Sequence, residues 1–287
     1  MPRSFGKRLQ AIFLSSHWLV CEQMSKRSFE LASLARNSAL QMVHAANAAH
    51  IGSSLSLIDI LAVIYAEVVS PKEDLDTVII SKGHAAAGAY AILAHSGFFP
   101  VEKLKDYGFN GSSLGGHLSR SGNPGVTLST GSLGHGLPYG LGVAYSQKIM
   151  KTFGRTFVVI SDGECDAGTT WESALIAAQF ELDNLVVIID RNGLQSLSTT
   201  ESTLALEPLE DKWKSFNWDT AVVDGHSHKE LKENLVTRSK PLCIIANTVK
   251  GFGVDFMENN NLWHYRPPSS VELESALLQV QGIKYEK

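Results

Sequence analysis

The sequence predicts an α/β fold of three layers, in which helices cover both faces of a mainly parallel sheet. Short apolar runs of strand length alternate with helical patterns through the second half of the 287-residue chain, as expected for strands that are buried on both faces. The composition is 44% hydrophobic and 19% charged, with a net charge of −4. It argues against disorder and provides no basic field for nucleic acid or an anionic membrane.

The first half of the chain is predicted to be mostly helical. Apolar residues at helical spacing predict helices over 25–46 and Leu57–Val69. The β-branched run Thr77–Ile80 predicts a short strand, and the small residues of Ala85–Ala94 predict a further helix. Residues 108–136 are rich in Gly, Ser, Asn and Pro. A loop of this length inside a compact domain usually carries function or lacks order.

The second half alternates regularly between helices and strands. Helical patterns extend over Leu137–Met150, Thr170–Phe180 and 227–236. Apolar runs of strand length occur at Thr156–Ile160, Leu185–Ile189, Thr220–Val223 and Leu242–Ala246. This alternation predicts successive βαβ units and hence a parallel sheet.

The chain is expected to form one domain over 25–268, followed by a C-terminal helix and tail over 269–287. Residues 1–24 contain basic residues followed by an interrupted apolar stretch without a small-residue cleavage site. We interpret them as a dispensable extension rather than a signal peptide. No uncharged apolar run reaches the length of a bilayer span, so no membrane segment is expected.

Two patterns resemble metal sites only superficially. Cys21, Cys165 and Cys243 form no CxxC pair and no zinc-like spacing, so we expect reduced thiols and a cytoplasmic protein. His226 and His228 stand in Asp-Gly-His-Ser-His without a nearby third ligand, and we interpret them as part of a solvated turn.

Polar residues follow two of the predicted strands. Asp162 and Gly163 come after the first, and Asn192 comes 30 positions after Asp162, about one βαβ unit. Carboxyl ends of neighbouring parallel strands meet at one edge of a sheet, where these oxygens would suit Mg²⁺ or Ca²⁺ together with phosphate oxygens. The alternative, that both are turn and cap residues, stays open at this point.

Four histidines, His50, His84, His117 and His264, stand beside glycines or in loops rather than on apolar helical faces. Each alone is more often structural. Together they suggest a polar pocket in which protons are transferred near neutral pH.

The segments 161–164, 182–185 and 190–195 resemble the thiamine-diphosphate signature, which begins Gly-Asp-Gly and ends in Asn about thirty residues later. Further motifs of one family occur in the same order at His50–Ser54, Ser81–His84, Gly116–His117, Thr130–Gly136 and Val249–His264. Over about 25–268 the chain resembles the amino-terminal half of transketolase, encoded as a separate subunit.

The resemblance implies the thiamine diphosphate-binding fold and a Mg²⁺ site, in which Ca²⁺ or Mn²⁺ could substitute. Asp162, Asn192 and the main-chain carbonyl of Leu194 would hold the metal against the diphosphate. Gly163 would contact the diphosphate through its backbone.

The resemblance also gives the histidines roles. His84 and His264 match family histidines near the diphosphate and the reaction centre. His50 and His117 match those that line the substrate channel, where they would hydrogen-bond a ketose donor and help to move protons.

A second polypeptide is implied as well. Gly131 and Leu133 match positions whose backbone contacts the aminopyrimidine ring. In the family, a glutamate of a pyrimidine-binding domain bonds the same ring, and this chain reaches Lys287 without that domain. We therefore expect a C-terminal partner subunit, an α₂β₂ heterotetramer and transfer of a two-carbon ketol unit between sugars.

Three departures from the family pattern keep an alternative open. Ser161 replaces the first glycine of Gly-Asp-Gly, Ala167 stands where a glutamate is frequent, and Ser196–Ser198 replaces Ile-Asp-Gly. The alternative is an inactive scaffold or regulatory subunit that retains the fold.

Overall fold

A sheet of five parallel strands forms the centre of the computed structural model, which describes residues 27–69 and 75–283. The strands are β1 (Thr77–Ile80), β2 (Thr156–Ser161), β3 (Leu185–Arg191), β4 (Asp219–Asp224) and β5 (Leu242–Asn247). Their spatial order is β1-β2-β3-β5-β4, and every neighbouring pair is parallel. The predicted parallel sheet is confirmed.

The helices alternate with these strands along the chain. They are α1 (described over 27–45), α2 (Ile51–Val63, continued by a π-helical turn over Ile64–Val68), α3 (Ala86–His95), α4 (Gly136–Met150), α5 (Gly168–Gln179), α6 (Thr200–Thr203), α7 (Leu209–Ser215), α8 (His228–Asn234) and α9 (Ser270–Gln281). Short 3₁₀ segments lie at Gly83–Ala85, Val101–Asp106, Asp162–Asp166 and Asn261–His264.

Successive strand residues face two separate cores, because side chains alternate across a strand. In β1, Val78 and Ile80 pack into a core shared with α1, α2, α3, α8 and α9. Ile79 faces the opposite core, shared with α4, α5 and α7. The sheet is therefore covered on both faces, which confirms the predicted three-layer α/β/α architecture.

Helix α2 begins at Ile51, six positions before the predicted start at Leu57. Ser53, Ser54 and Ser56 interrupt its apolar pattern, yet every residue over Ile51–Val63 is buried. Helical periodicity in a sequence arises when one face of a helix is solvated, and α2 has no solvated face. The stretch Ile51–Val68 is long and apolar enough to cross a bilayer, but 83% of it is buried inside this fold, as a core helix is.

The interpretation of His226 and His228 as a solvated turn is wrong. His228 is 3% exposed, and both imidazoles hydrogen-bond the buried carboxylate of Asp59 on α2. A short Asp-Gly-His segment looks like a surface turn, and only the packing of α8 against α2 brings it inside.

The two ends of the chain were each predicted to form a segment separate from the domain over 25–268. Helix α9 lies within the predicted tail 269–287 and packs Ala276 and Val280 into the core. The extension 1–24 and Cys21 lie outside the described residues, and the domain boundaries stay predictions. Cys165 and Cys243 are free, buried thiols.

The long glycine-rich loop between α3 and α4 is ordered. Asn123 is buried and accepts hydrogen bonds from Lys103 and Ser113. Its amide donates to the carbonyls of Ser113 and Ser119. Thr130 Oγ1 then donates to the carbonyl of Ile80 at 2.7 Å, which attaches the end of the loop to the end of β1.

Candidate active site

A cleft of about 230 Å³ lies where β2 and β3 end. These strands are neighbours in register, with Ser161 opposite Asp190, so the residues that follow them share one edge of the sheet. All the residues proposed for the site from sequence line this cleft: His50, His84, His117, Gly131, Leu133, Asp162, Gly163, Asn192, Leu194 and His264.

The carboxylate of Asp162 is held by the main chain of both strand ends. Its Oδ2 accepts from Gly193 N at 2.7 Å, and its Oδ1 accepts from Gly163 N at 2.8 Å. Arg191 Nη1 lies 3.3 Å from Oδ2. Burial, and after it the charge of Asp190, raise the pKa of Asp162. A cation beside this carboxylate would favour its ionised form.

Asn192 provides the second oxygen expected at this edge. Its Oδ1 accepts from Leu194 N at 3.1 Å, and its Nδ2 lies 3.4 Å from Asp190 Oδ1. One carboxylate and one amide oxygen, with the carbonyl of Leu194 nearby, suit a hard cation that takes its remaining ligands from phosphate and water. Among residues 27–69 and 75–283, no three His, Cys, Asp or Glu side chains form a metal-binding group.

Ser161 has a local role that explains its presence in place of glycine. Ser161 and Glu164 form a capping box, in which each side chain accepts from the other residue's main-chain N–H. Glu164 Oε1 also accepts from Gly134 N at 2.8 Å and from the hydroxyl of Ser81. The hydroxymethyl group therefore stabilises the turn that carries Asp162.

Gly163 has little room for a side chain. A Cβ there would lie 3.1 Å from the side chain of Gln195, which itself donates to Asp166 Oδ2 at 2.7 Å. The backbone at Gly163 thus remains open to a ligand, whereas a larger residue would displace Gln195.

The four predicted histidines form one cluster around His50. Its ring centroid lies 5.5 Å from those of His84 and His117 and 5.0 Å from that of His264. His50 has a left-handed backbone, with φ of 72°, and its N–H donates to the carbonyl of His264 at 2.9 Å. The turn before α2 and the 3₁₀ segment before Tyr265 are therefore joined at the cleft.

Burial keeps the rings of His50, His84 and His264 uncharged. It lowers the pKa of His50 to about 4, with help from His117 and Lys250. It lowers the pKa of His264 to about 3, with help from Lys250, and that of His84 well below its usual value. A neutral imidazole has both a donor and an acceptor nitrogen, as proton transfer requires.

Sequence reasoning missed two buried lysines beside the cleft. Lys82 forms a buried ion pair with Asp190. Lys250, 1% exposed, donates from Nζ to Gln195 O at 2.9 Å and contacts His264 Nδ1 at 2.8 Å. Burial, and after it the charge of Lys82, lower the pKa of Lys250 to about 8. Both lysines precede a glycine, but that local pattern does not indicate burial, which depends on partners from distant segments.

Comparison with known proteins places these residues in a family. The family model described as "Transketolase, thiamine diphosphate binding domain" matches residues 28–280. An apulose-4-phosphate transketolase subunit of Actinobacillus succinogenes is 38% identical over 241 residues, covering 81% of this chain and 87% of that protein. The 6-deoxy-6-sulfo-D-fructose transketolase subunit SqwG of a Clostridium species is 33% identical, covering 84% and 92%.

Solved structures agree with the sequence match. Transketolase of Campylobacter jejuni superposes with a TM-score of 0.82 at 26% identity, over 91% of this chain and 44% of that one. Transketolase of Leishmania mexicana gives 0.82 at 25% identity, over 91% and 42%. The chain thus spans less than half of these two solved transketolases but most of the Actinobacillus and Clostridium proteins, which are named as subunits. It belongs to the transketolase family as a thiamine diphosphate-binding domain.

Proposed function

We propose that this chain is the N-terminal subunit of a split transketolase that moves a two-carbon ketol unit from a ketose donor to an aldose acceptor. The observation that carries the proposal is the cleft at the ends of β2 and β3, which gathers the oxygen ligands and the histidine cluster, with the buried Lys250 in contact with two of its lining residues. The proposal is supported by relatives that are named as transketolase subunits and that this chain matches over most of their length.

Mg²⁺ and thiamine diphosphate are the ligands that we propose for this cleft. Asp162, Asn192 and the Leu194 carbonyl would hold the metal, Gly163 would approach the diphosphate, and the ammonium of Lys250 would face its negative charge. The bound cofactor would supply a carbon nucleophile and an electron sink.

The histidines are proposed to act on the sugar and its protons. His50 and His117 would hydrogen-bond the hydroxyls of the ketose, and His84 and His264 would serve nearer the diphosphate and the reaction centre. The low pKa of His50 keeps its ring neutral at pH 7, with one nitrogen to donate and one to accept a hydrogen bond. Relatives named for apulose 4-phosphate and for 6-deoxy-6-sulfo-D-fructose differ in their sugars, so we propose no donor narrower than a ketose.

A C-terminal subunit with the pyrimidine-binding domain is the proposed partner, in an α₂β₂ heterotetramer. Gly131 and Leu133 would form one wall for the cofactor ring, and the partner would supply the opposite wall and the activating glutamate. The packed helices α4 and α5, with the residue that follows α5, carry exposed large apolar side chains that we call the α4–α5 face: Tyr139, Tyr145, Ile149, Leu175, Ile176 and Phe180. An exposed apolar face of this kind suits a protein interface. The buried free thiols suit the cytoplasmic location that we propose.

The test is reconstitution. The chain is co-expressed with its C-terminal partner, supplied with thiamine diphosphate and Mg²⁺, and assayed for ketol transfer from a panel of ketoses, with each chain by itself as control. Transfer by the pair and by neither chain alone is expected. A pair that binds cofactor but turns over no ketose would contradict the proposal and favour the inactive scaffold.

A further inference from the structure

A buried network of hydrogen bonds centres on Asp59 of α2, outside the cleft. Asp59 Oδ1 contacts His228 Nε2 at 2.9 Å, and Oδ2 contacts His226 Nδ1 at 2.7 Å and the guanidinium of Arg36. Burial alone would raise the pKa of Asp59, but Arg36 and the two imidazoles hold it well below its usual range. Asp59 is therefore an ionised acceptor that orients both rings.

His226 extends this network to the segment after β5. Its Nε2 accepts from Val249 N at 2.9 Å, so the ring proton is on Nδ1 and is donated to Asp59. The ring also stacks on Phe252, with centroids 3.6 Å apart and 11° between the planes. A Cβ on the preceding Gly225 would lie 2.4 Å from the side chain of Thr248, so the two segments are closely packed.

Val249 immediately precedes Lys250, whose ammonium contacts two residues that line the cleft. From this backbone, Lys250 reaches Gln195 O at 2.9 Å and His264 Nδ1 at 2.8 Å. The hydrogen bond from Val249 N to His226 therefore fixes the peptide from which the lysine side chain extends. Small displacements of a supporting backbone are enough to misplace a binding group.

We propose that His226 is a positioning residue, which holds Lys250 against the cleft residues Gln195 and His264 through Val249 and thereby sets the affinity for a diphosphate ligand without touching it. The ligand in this proposal rests on the proposed function, whereas the link from His226 to Lys250 does not. His228 is a matched control, because it bonds the same carboxylate from α8, does not line the cleft and directs its other ring nitrogen to Ser28 Oγ, whereas His226 directs its own to Val249 N.

The first test needs no cofactor. His226→Phe keeps the stacking on Phe252 but loses both hydrogen bonds, and His226→Gln keeps one donor and one acceptor. The full chain is treated briefly with an amine-reactive reagent, and labelling of Lys250 is measured by mass spectrometry, with buried Lys82 as internal reference. We expect His226→Phe to raise labelling of Lys250 at least about fivefold, His226→Gln to restore most of the protection, and His228→Phe to leave it unchanged.

Equal labelling of Lys250 in His226→Phe and in wild type would overturn the proposal, as would an equal rise in His228→Phe. If His226→Phe does not fold, His226→Asn, whose short side chain cannot span Val249 and Asp59, replaces it in the same comparison.

The second test measures the dissociation constant for thiamine diphosphate with Mg²⁺ in the complete two-subunit complex. His226→Phe should weaken binding about tenfold or more, while His226→Gln and His228→Phe stay within about threefold of wild type. If no form binds thiamine diphosphate, the proposed function fails, and the labelling of Lys250 alone decides whether His226 positions it.

Discussion

The main-chain N–H of Gly193 donates to Asp162 Oδ2 at 2.7 Å, so the carboxylate after β2 is tied to the turn after β3. A second main-chain donor, Gly163 N, holds the other oxygen. The carboxylate is therefore oriented before any ligand arrives, which reduces the ordering that binding would require.

Asp162→Asn should abolish metal-dependent binding of thiamine diphosphate, with an affinity loss of about 100-fold or more. Burial raises the pKa of Asp162, so its favourable contribution to folding exists at acid pH and is lost as pH rises through the folded pKa. Asn removes the buried charge but can accept from only one of the two main-chain N–H groups, so the apo variant should stay within about 1–3 kcal/mol of wild-type stability at pH 7. Calorimetric titration with Mg²⁺ and thermal unfolding check the two expectations, and unchanged affinity would refute the metal assignment.

Lys250 should make diphosphate binding depend on pH. With a pKa of about 8, its ammonium is charged below that value and neutral above it, so affinity for an anion should fall between about pH 7 and 9. Lys250→Met should weaken binding at pH 7 and flatten this dependence, and Lys250→Arg should keep affinity constant over the range. Fluorescence titration with thiamine diphosphate at several pH values measures this, and an unaltered profile in Lys250→Met would contradict it.

His50→Gln should slow ketol transfer about 10²- to 10⁴-fold, the usual contribution of a proton-transferring side chain. Because His50 is expected to contact the sugar rather than the diphosphate, the affinity for thiamine diphosphate should change little. Steady-state kinetics of the reconstituted complex and cofactor titration separate the two effects. A loss confined to cofactor affinity would place His50 at the diphosphate instead.

Removing one partner of the buried Lys82–Asp190 ion pair should lower the free energy of unfolding more than removing both partners does. Lys82→Met leaves a buried carboxylate without its cation and should cost about 3–5 kcal/mol of unfolding free energy. Lys82→Met combined with Asp190→Asn should recover part of that loss, since the uncompensated charge is gone. Urea unfolding of the two single variants and the double variant tests this, and simple additivity would argue against direct coupling.

The α4–α5 face should be needed for assembly. Ile149→Asp places a charge on an exposed apolar residue and should prevent co-purification with the C-terminal partner. The isolated chain should stay within about 0.5 kcal/mol of wild-type stability, as surface substitutions usually do. Val271→Asp on α9, at a position 79% exposed, is the control, and equal loss of partner binding in both would show that this face has no special role.

All five strands could be predicted to within two residues. In β1, β2, β3 and β5 the apolar run reflects burial on both faces, whereas β4 is an edge strand with mostly unburied side chains and was marked by its short apolar run alone. Asp162 and Asn192 could be placed because they directly follow buried apolar runs in neighbouring strands. The start of α2 could not, because Ser53, Ser54 and Ser56 are buried polar residues whose environment depends on the surrounding layers.

The burial of three charged side chains could not be predicted from the sequence either. Lys82, Lys250 and Asp59 are charged types that are usually exposed, and only their partners from distant segments make burial tolerable. The separation between Lys82 and Asp190 is 108 residues. Neither local spacing nor hydrophobic pattern carries information about such a pair, so the two lysines and the His226 contact became visible only in three dimensions.

The anchoring of the long loop by Asn123 has a thermodynamic consequence. Hydrogen bonds from Asn123 to the carbonyls of Ser113 and Ser119 already fold the loop. A small molecule that docks on Gly131 and Leu133 therefore binds a surface that is formed in advance. The heat-capacity change of binding should then reflect only the area that the molecule covers. It should lack the larger negative contribution that would arise if the loop folded on binding.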